Sequence, residues 1–373
     1  MEPKIDIMDP LQFLEKILAW MGVVKIVEDR RPGYYMPMVV VQHMANLYGW
    51  FAIIAYLMGD NPFLSKMDSM QYLISMTHMV TKYYNLHYNS APYRRLIADA
   101  RHLWEEAKRR PRMKNLLAKL SQNANKEIKM YFFIFAMVSP ASCLITLIVN
   151  MMQEPEDRGK PFFVWDPVPE SWYWTSCFME GIGMFILLSL LGAMVLACYA
   201  TCQQAAIQTR ILQEMLEESP FDLRACVILH QKILRYIEDI NNYFAGYMFV
   251  ETVFSSLQIA VRGYYTLKLL KEGDPKVISS IFFLTLCLLS PLIVCLSGHI
   301  ITDSSENLFR SAYNNAWYSA SPREKSSLVI VLCQASKIKR LNYKNLLDFN
   351  MERYTMVVQG TYTYITLLQG VDL

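Results

Sequence analysis

The sequence predicts an all-α, polytopic membrane protein with seven transmembrane helices. Its N-terminus is expected in the cytoplasm, its C-terminus outside, and its inner helix extensions gather into a small domain. Three observations predict this. First, the chain is 53% hydrophobic with a mean hydropathy of +0.17, above the usual range for soluble domains. That apolar content is concentrated in seven segments of roughly membrane-spanning length. Second, two loops carry opposite charge. Third, some proline-free helical runs are far longer than a bilayer is thick.

The N-terminal stretch Leu11–Val27 places Leu11, Leu14, Leu18 and Met21 on one face, which predicts an interfacial amphipathic helix. Arg30-Arg31-Pro32-Gly33 reads as the turn into the first span. No basic region precedes an apolar core here, so the start is not a cleaved signal peptide. The seven spans are Met36–Met58, Met67–Tyr88, Ile128–Met152, Tyr173–Ala200, Met248–Leu270, Val277–Ile301 and Leu346–Leu368. The second is the most polar, carrying His78 and Lys82.

The loop between spans two and three holds Arg94, Arg95, Arg101, Lys108, Arg109, Arg110, Arg112, Lys114, Lys119, Lys126 and Lys129. Such an excess of basic residues marks a cytoplasmic loop. The loop between spans three and four is acidic and aromatic, with Glu154, Glu156, Asp157, Trp165, Asp166, Glu170 and Trp172, as expected of an outer loop. This phase sets the orientation of all seven spans.

No proline interrupts Leu223–Leu270. At 1.5 Å per residue this is about 70 Å of helix, against a hydrocarbon core of about 30 Å. Its first half should therefore stand in the cytoplasm. Span four runs on through Gln203–Glu218, and span six runs past Pro291 into the polar stretch His299–Tyr318. Ser319–Lys325 breaks the chain. The apolar run Leu328–Ala335 follows, closed by Lys337, Lys339 and Arg340. These pieces leave the membrane on one side and are expected to bundle there.

The final segment has a polar or small stripe: Thr355, Gln359, Thr363, Thr366 and Gly370, extended downward by Glu352 and Asp348. Three- and four-residue spacing puts these on one helical face. Such a stripe either faces water in a pore or hydrogen-bonds to neighbouring helices.

No enzyme motif is present: no His-Glu-x-x-His, no phosphate-cradling glycine loop and no Gly-x-Ser-x-Gly. No cofactor or metal is expected. Cys198 and Cys202 have helical spacing but no histidine beside them, against a zinc site. The eight cysteines lie in or next to apolar spans and read as small packing residues. His78 and His87 have no acid at metal spacing and read as packing histidines. The net charge of +3 carries no sign of nucleic-acid binding. Glu180 stands apart, because a carboxylate well inside a span is costly unless paired or wet.

Seven spans, long inner extensions and a last helix ending close to the C-terminus resemble the insect odorant receptors. The resemblance covers essentially the whole chain. It is most specific in Ser311-Ala-Tyr-Asn-Asn-Ala-Trp317-Tyr318, the following Ser-Pro and basic-flanked apolar run, and Gly360-Thr-Tyr362-Thr-Tyr364-Ile-Thr-Leu-Leu-Gln369. It implies a ligand-gated, non-selective cation channel of four subunits joined through an anchor domain, with the last helices lining the pore. The stretch Gln203–Asp222 is short where co-receptors carry an insertion, which implies a ligand-tuning subunit. The implied partners are odorant co-receptor subunits in a heterotetramer, a small volatile odorant and the lipid bilayer. The implied place is the plasma membrane of a sensory dendrite.

On this reading residues 1–35 form the cytoplasmic N-terminal segment. Residues 36–302 are the ligand-binding bundle, with cytoplasmic extensions near 203–245. Residues 303–344 are the anchor segment, and 345–373 the pore-lining helix. The resemblance places a ligand pocket in the outer half of the bundle. The residues offered there are Tyr72, Ser75, Met76 and Met79; Ser142, Cys143 and Thr146; Tyr173, Ser176, Cys177, Met179, Glu180, Gly183 and Met184; and Phe282, Phe283 and Leu286. Apolar walls with few polar groups suit a small volatile molecule, and each residue alone also fits plain helix packing. The resemblance puts the constriction at Leu367, whereas the stripe points to Gln359, Thr363, Thr366 and Gly370; both readings stay open. Competing readings are a gustatory receptor-type channel, which changes only the ligand class, and a G-protein-coupled receptor. The latter has the opposite topology, and neither Asp-Arg-Tyr nor Asn-Pro-x-x-Tyr is present. A transporter would show internal repeats with broken helices, and none is seen.

Overall fold

The computed structural model describes residues 10–20, 36–60, 63–88, 90–152, 170–217, 222–314, 318 and 321–371. Met21, the turn at 30–33, the loop 153–169 and Trp317 lie outside these. In chain order the helices are α1 (Pro10–Trp20), α2 (Met36–Met58), α3 (Phe63–Tyr88), α4 (Ser90–Lys108), α5 (Lys114–Met151), α6 (Glu170–Glu217), α7 (Leu223–Glu272), α8 (Val277–Asn314), α9 (Pro322–Ala335) and α10 (Met351–Val371). A 3-10 turn (Pro111–Met113) joins α4 to α5, and a short hairpin of β1 (Asn342–Tyr343) and β2 (Leu347–Asp348) precedes α10. All seven expected spans are helical for most or all of their length. By composition alone α7 and α8 are the described helices long and apolar enough to cross a membrane. The outward side chains Phe51, Met58, Phe133, Leu144, Phe178, Val253 and Ile281 leave an apolar belt open to the surroundings, as lipid-facing helices do.

α7 is one unbroken helix of 50 residues, about 75 Å long. Asp222 caps its start by accepting from the Ala225 N–H (3.1 Å). Gly273 ends it in the left-handed conformation (φ 70°), with its N–H returned to the last carbonyls. α8 then runs back as one continuous helix through Pro291 to Asn314. Away from the α7–α8 turn, the extensions of α6, α7 and α8 pack around Leu212, Leu229, Ile233, Ile237, Ile301 and Leu308. α9 lays Leu328, Val331 and Ala335 against α7 and α8. Its start is fixed by a capping box, in which Ser321 and Glu324 satisfy each other's backbone N–H groups. Each fully buried Leu or Ile contributes about 1.5–3 kcal/mol, and this packing is continuous with the core of the bundle.

Three expectations are corrected. The apolar stripe of α1 does not face lipid. Leu11, Leu14 and Leu18 are buried in the protein core against α5 and α6, because an apolar stripe reads the same whether protein or lipid covers it. The basic stretch after α3 is not a loop. It forms α4 and the first turns of α5, with Tyr93, Leu96, Ile97, Ala100, Leu103, Trp104 and Ala107 facing inward and Arg94, Arg95 and Arg101 outward. Lys232–Glu106 and Arg101–Glu15 ion pairs tie α4 to α7 and α1. Finally, the last helix starts at Met351, not Leu346. Asn350 caps it, accepting from the Arg353 N–H (2.8 Å), while Leu347 and Asp348 belong to the hairpin.

That hairpin positions α10. Lys344 and Asn345 both have positive φ, the geometry of a type I′ turn, closed by Leu346 N–H to the Tyr343 carbonyl (2.9 Å). Tyr343 stacks on Phe249 (4.6 Å between ring centres), and the Asn342 N–H donates to Asn241 (2.8 Å). Gly298 lets the Phe349 carbonyl approach α8 so closely that a Cβ there would collide with it.

Candidate functional site

Among the described residues, one cavity lies between α3, α6, α7 and α8. α3 contributes Gln71, Tyr72, Ser75, His78 and Met79, and α6 contributes Leu191. α7 adds Glu251, Gln258 and Arg262, and α8 adds Phe283, Leu286, Cys287 and Ser290.

Two buried ion pairs bracket this space. At one end Arg262 Nη1 donates to Asp68 Oδ1 (2.9 Å), and the guanidinium lies over the rings of Phe283, Tyr265 and Tyr72 at 5.0, 5.4 and 5.8 Å. At the other, Glu251 pairs with Lys82 and with His78 Nε2 (3.2 Å). Ser255 Oγ (3.0 Å) and Ser290 Oγ also donate to the Glu251 carboxylate. His78 stacks flat on Phe254 (4.9 Å, 9°). Between the ends, Gln258 bridges Ser75 and His78 Nδ1, both at 3.4 Å. Buried charges this deep persist only when paired and hydrogen-bonded.

The sequence-derived pocket residues divide accordingly. Tyr72, Ser75, Met79, Phe283 and Leu286 line the cavity. Met76, Tyr173, Cys177 and Phe282 are buried or half-buried elsewhere; Tyr173 packs edge-on against Trp174. The side chains of Ser142, Cys143, Thr146, Ser176, Met179, Glu180, Gly183 and Met184 lie outside the described residues. The sequence reading missed Gln71, Glu251, Gln258, Arg262, Cys287 and Ser290. It read His78 as a hydrogen-bonded packing histidine with no acid at metal spacing, and the structure adds the Glu251 carboxylate as its partner. The available signal was the presence of Glu251 and Arg262 inside a span, the same argument applied to Glu180.

α10 packs Val357 and Thr361 inward, and Ile365 against Gly263 of α7, where a Cβ would meet Ile365 Cδ1 at 2.5 Å. Thr355, Gln359, Thr363, Thr366 and Gly370 are exposed on the opposite side. The hydroxyls of Thr355, Thr363 and Thr366 bond back to α10's own carbonyls. Leu367 is 61% exposed on the same side. Asp348, read as part of the row, lies instead in the hairpin, 3.6 Å from Arg340.

The family profile of the 7tm odorant receptors matches residues 63–362. The chain belongs to this family, the insect odorant receptors. Among curated relatives it is 26% identical to odorant receptor 85b of Drosophila melanogaster over 38% of this chain. The match spans 35% of that relative's own length. Odorant receptor 63a of the same fly is 18% identical over 89% of this chain and 88% of its own. The structure of the insect olfactory receptor OR5 from Machilis hrabei, in complex with eugenol, superposes with a TM-score of 0.79 at 16% identity, covering 97% of both chains. The same receptor without that ligand gives 0.77. The odorant receptor is thus an all-α polytopic membrane protein.

Proposed function

We propose that this odorant receptor is a ligand-tuning subunit of a cation channel, and that the α3–α7–α8 cavity takes a small volatile molecule. The observation that carries the reading is a shared cluster. Cys287 lines the cavity and also packs with Ile259 and Val357 of α10. A ligand that moves α8 therefore acts on α10 through one layer of side chains. A ligand shifts such an equilibrium only by its differential contact with the two states, and the cavity wall supplies that contact.

In the assembled channel the exposed stripe of α10 faces a central pore, with Leu367 as an aliphatic constriction that holds ions back by dewetting. The cytoplasmic N-terminus, outer C-terminus and inner anchor follow from the basic α4–α5 junction. Val329 and Ile330 of α9 and Tyr313 and Tyr318 are exposed at the anchor end and suit contacts to co-receptor subunits in a heterotetramer. The expected site is the sensory dendrite's plasma membrane. The test is voltage clamp on cells expressing this chain alone and then with a co-receptor. Ligand-evoked cation current only in the pair supports the reading. A robust current from the chain alone rejects the obligate partner.

A further inference from the structure

Resting on that reading of the cavity, we infer that its ligands are small uncharged molecules carrying an oxygen acceptor, which Arg262 recognises directly. The argument starts from the guanidinium. Arg262 is buried, with 3% of its side chain exposed, and its Nη1 is committed to Asp68. Nε and Nη2 make no hydrogen bond with any described residue. These two N–H groups form a fork of near-parallel donors on one edge of the guanidinium, and a single oxygen set between them can accept from both. Leaving such donors buried and unsatisfied is costly. A ligand oxygen in the cavity that Arg262 lines supplies the missing acceptor.

Charge accounting narrows the class. Arg262 faces Asp68, and Lys82 faces Glu251. Both cations that bracket the cavity are thus already neutralised. A carboxylate or an ammonium ligand would bring a net charge into a buried space with no counter-ion left for it. A hydrocarbon would fill the apolar part against Tyr72, Met79, Leu191, Phe283 and Leu286 but leave the fork empty. Ketones, aldehydes, esters and alcohols meet both demands. Gln71 Oε1 is also without a partner among the described residues, so a hydroxyl ligand can donate there while accepting from Arg262.

The test uses this chain co-expressed with a co-receptor. The ligands are unbranched compounds of four to ten carbons: 2-ketones, 1-alcohols, alkanes, carboxylates and alkylammonium ions. Activation is read as current, and binding as ligand-dependent thermal protection of the purified complex, which does not depend on conduction. A hydrogen bond to a charged donor discriminates about 10- to 100-fold. Ketones and alcohols are therefore expected to act at concentrations lower by that factor than the matched alkane, with both ions weaker still. The double variant Arg262→Gln/Asp68→Asn removes the fork without stranding a charge, and should collapse the ketone-to-alkane ratio while the complex still reaches the surface. Equal potency of ketone and alkane in the natural chain, a preserved ratio in the double variant, or no response from any member overturns the inference. Met79→Trp fills the cavity and separates the two layers of the claim. If ketones act on Met79→Trp as before, the cavity is not the ligand site and the functional reading itself fails.

Discussion

Changing Glu251 to Gln keeps an acceptor for Ser255 and Ser290 but strands Lys82. The side chains of Lys82 and Glu251 are 1% and 0% exposed, so neither finds water when its partner is lost. Removing one member of a buried ion pair costs about 3–5 kcal/mol, whereas replacing both is often near neutral. Glu251→Gln should therefore lower thermal stability by on the order of 10 °C. Lys82→Met alone strips Glu251 of its ammonium partner and should also destabilise. The double variant Lys82→Met/Glu251→Gln should recover most of the loss, a coupling of about 2 kcal/mol or more. Heating the detergent-solubilised complex in steps and following its size-exclusion peak measures each variant. Losses that simply add would show that the pair does not hold α3 to α7 as the geometry indicates.

Leu367→Ser should wet the constriction and raise ligand-independent current in proportion to the number of mutant subunits; Thr366→Ser at matched surface expression is the control, and unchanged basal current would remove Leu367 from the gate. Gly298→Ala drives a methyl into the Phe349 carbonyl, and overpacking of this kind costs about 1–3 kcal/mol. It should reduce complex yield more than Gly360→Ala, whose position has open space around it. Burial, and then Lys339, hold the His230 imidazole below its ordinary range. A group with a depressed folded-state pKa favours the unfolded chain as it protonates. Stability should be level above about pH 6.5 and fall as the pH drops below it. His230→Gln should flatten that fall in melts between pH 7.5 and 5.5.

Much of the architecture was legible because it rests on local signals. The 50-residue α7 follows from an uninterrupted helical period without proline, and α9 in part from the apolar run Leu328–Ala335, whereas its first turn, from Pro322, lies in the stretch read as a break. The stripe on α10 was visible as spacing, and the structure puts it opposite the packed face. The errors share one cause: periodicity tells which residues lie together, not what covers them. Leu11, Leu14 and Leu18 form an apolar face that the core covers, and the inward face of α4 was hidden by the charges counted to orient the chain. Leu346–Asp348 has no period long enough to tell a strand from a helix start, although Asn350 was available as a cap. The cavity was the least legible part. His78 meets Glu251, and Arg262 meets Asp68, across different helices far apart in sequence, so no local pattern joins them.

Cysteine accessibility along α10 tests the central claim most directly. In a background with Cys333, the exposed native thiol among the described residues, changed to Ser, single cysteines are placed at Gln359, Thr363 and Thr366, and at Val357 and Thr361. A charged, water-soluble thiol reagent is applied to co-receptor complexes during ligand-evoked current. If α10 lines the pore through its stripe, current is blocked at Gln359, Thr363 and Thr366 and untouched at Val357 and Thr361, which face α7 and α8. Block at Val357 and Thr361 with silence along the stripe would contradict the pore, and with it the path from the Cys287 cluster to conduction.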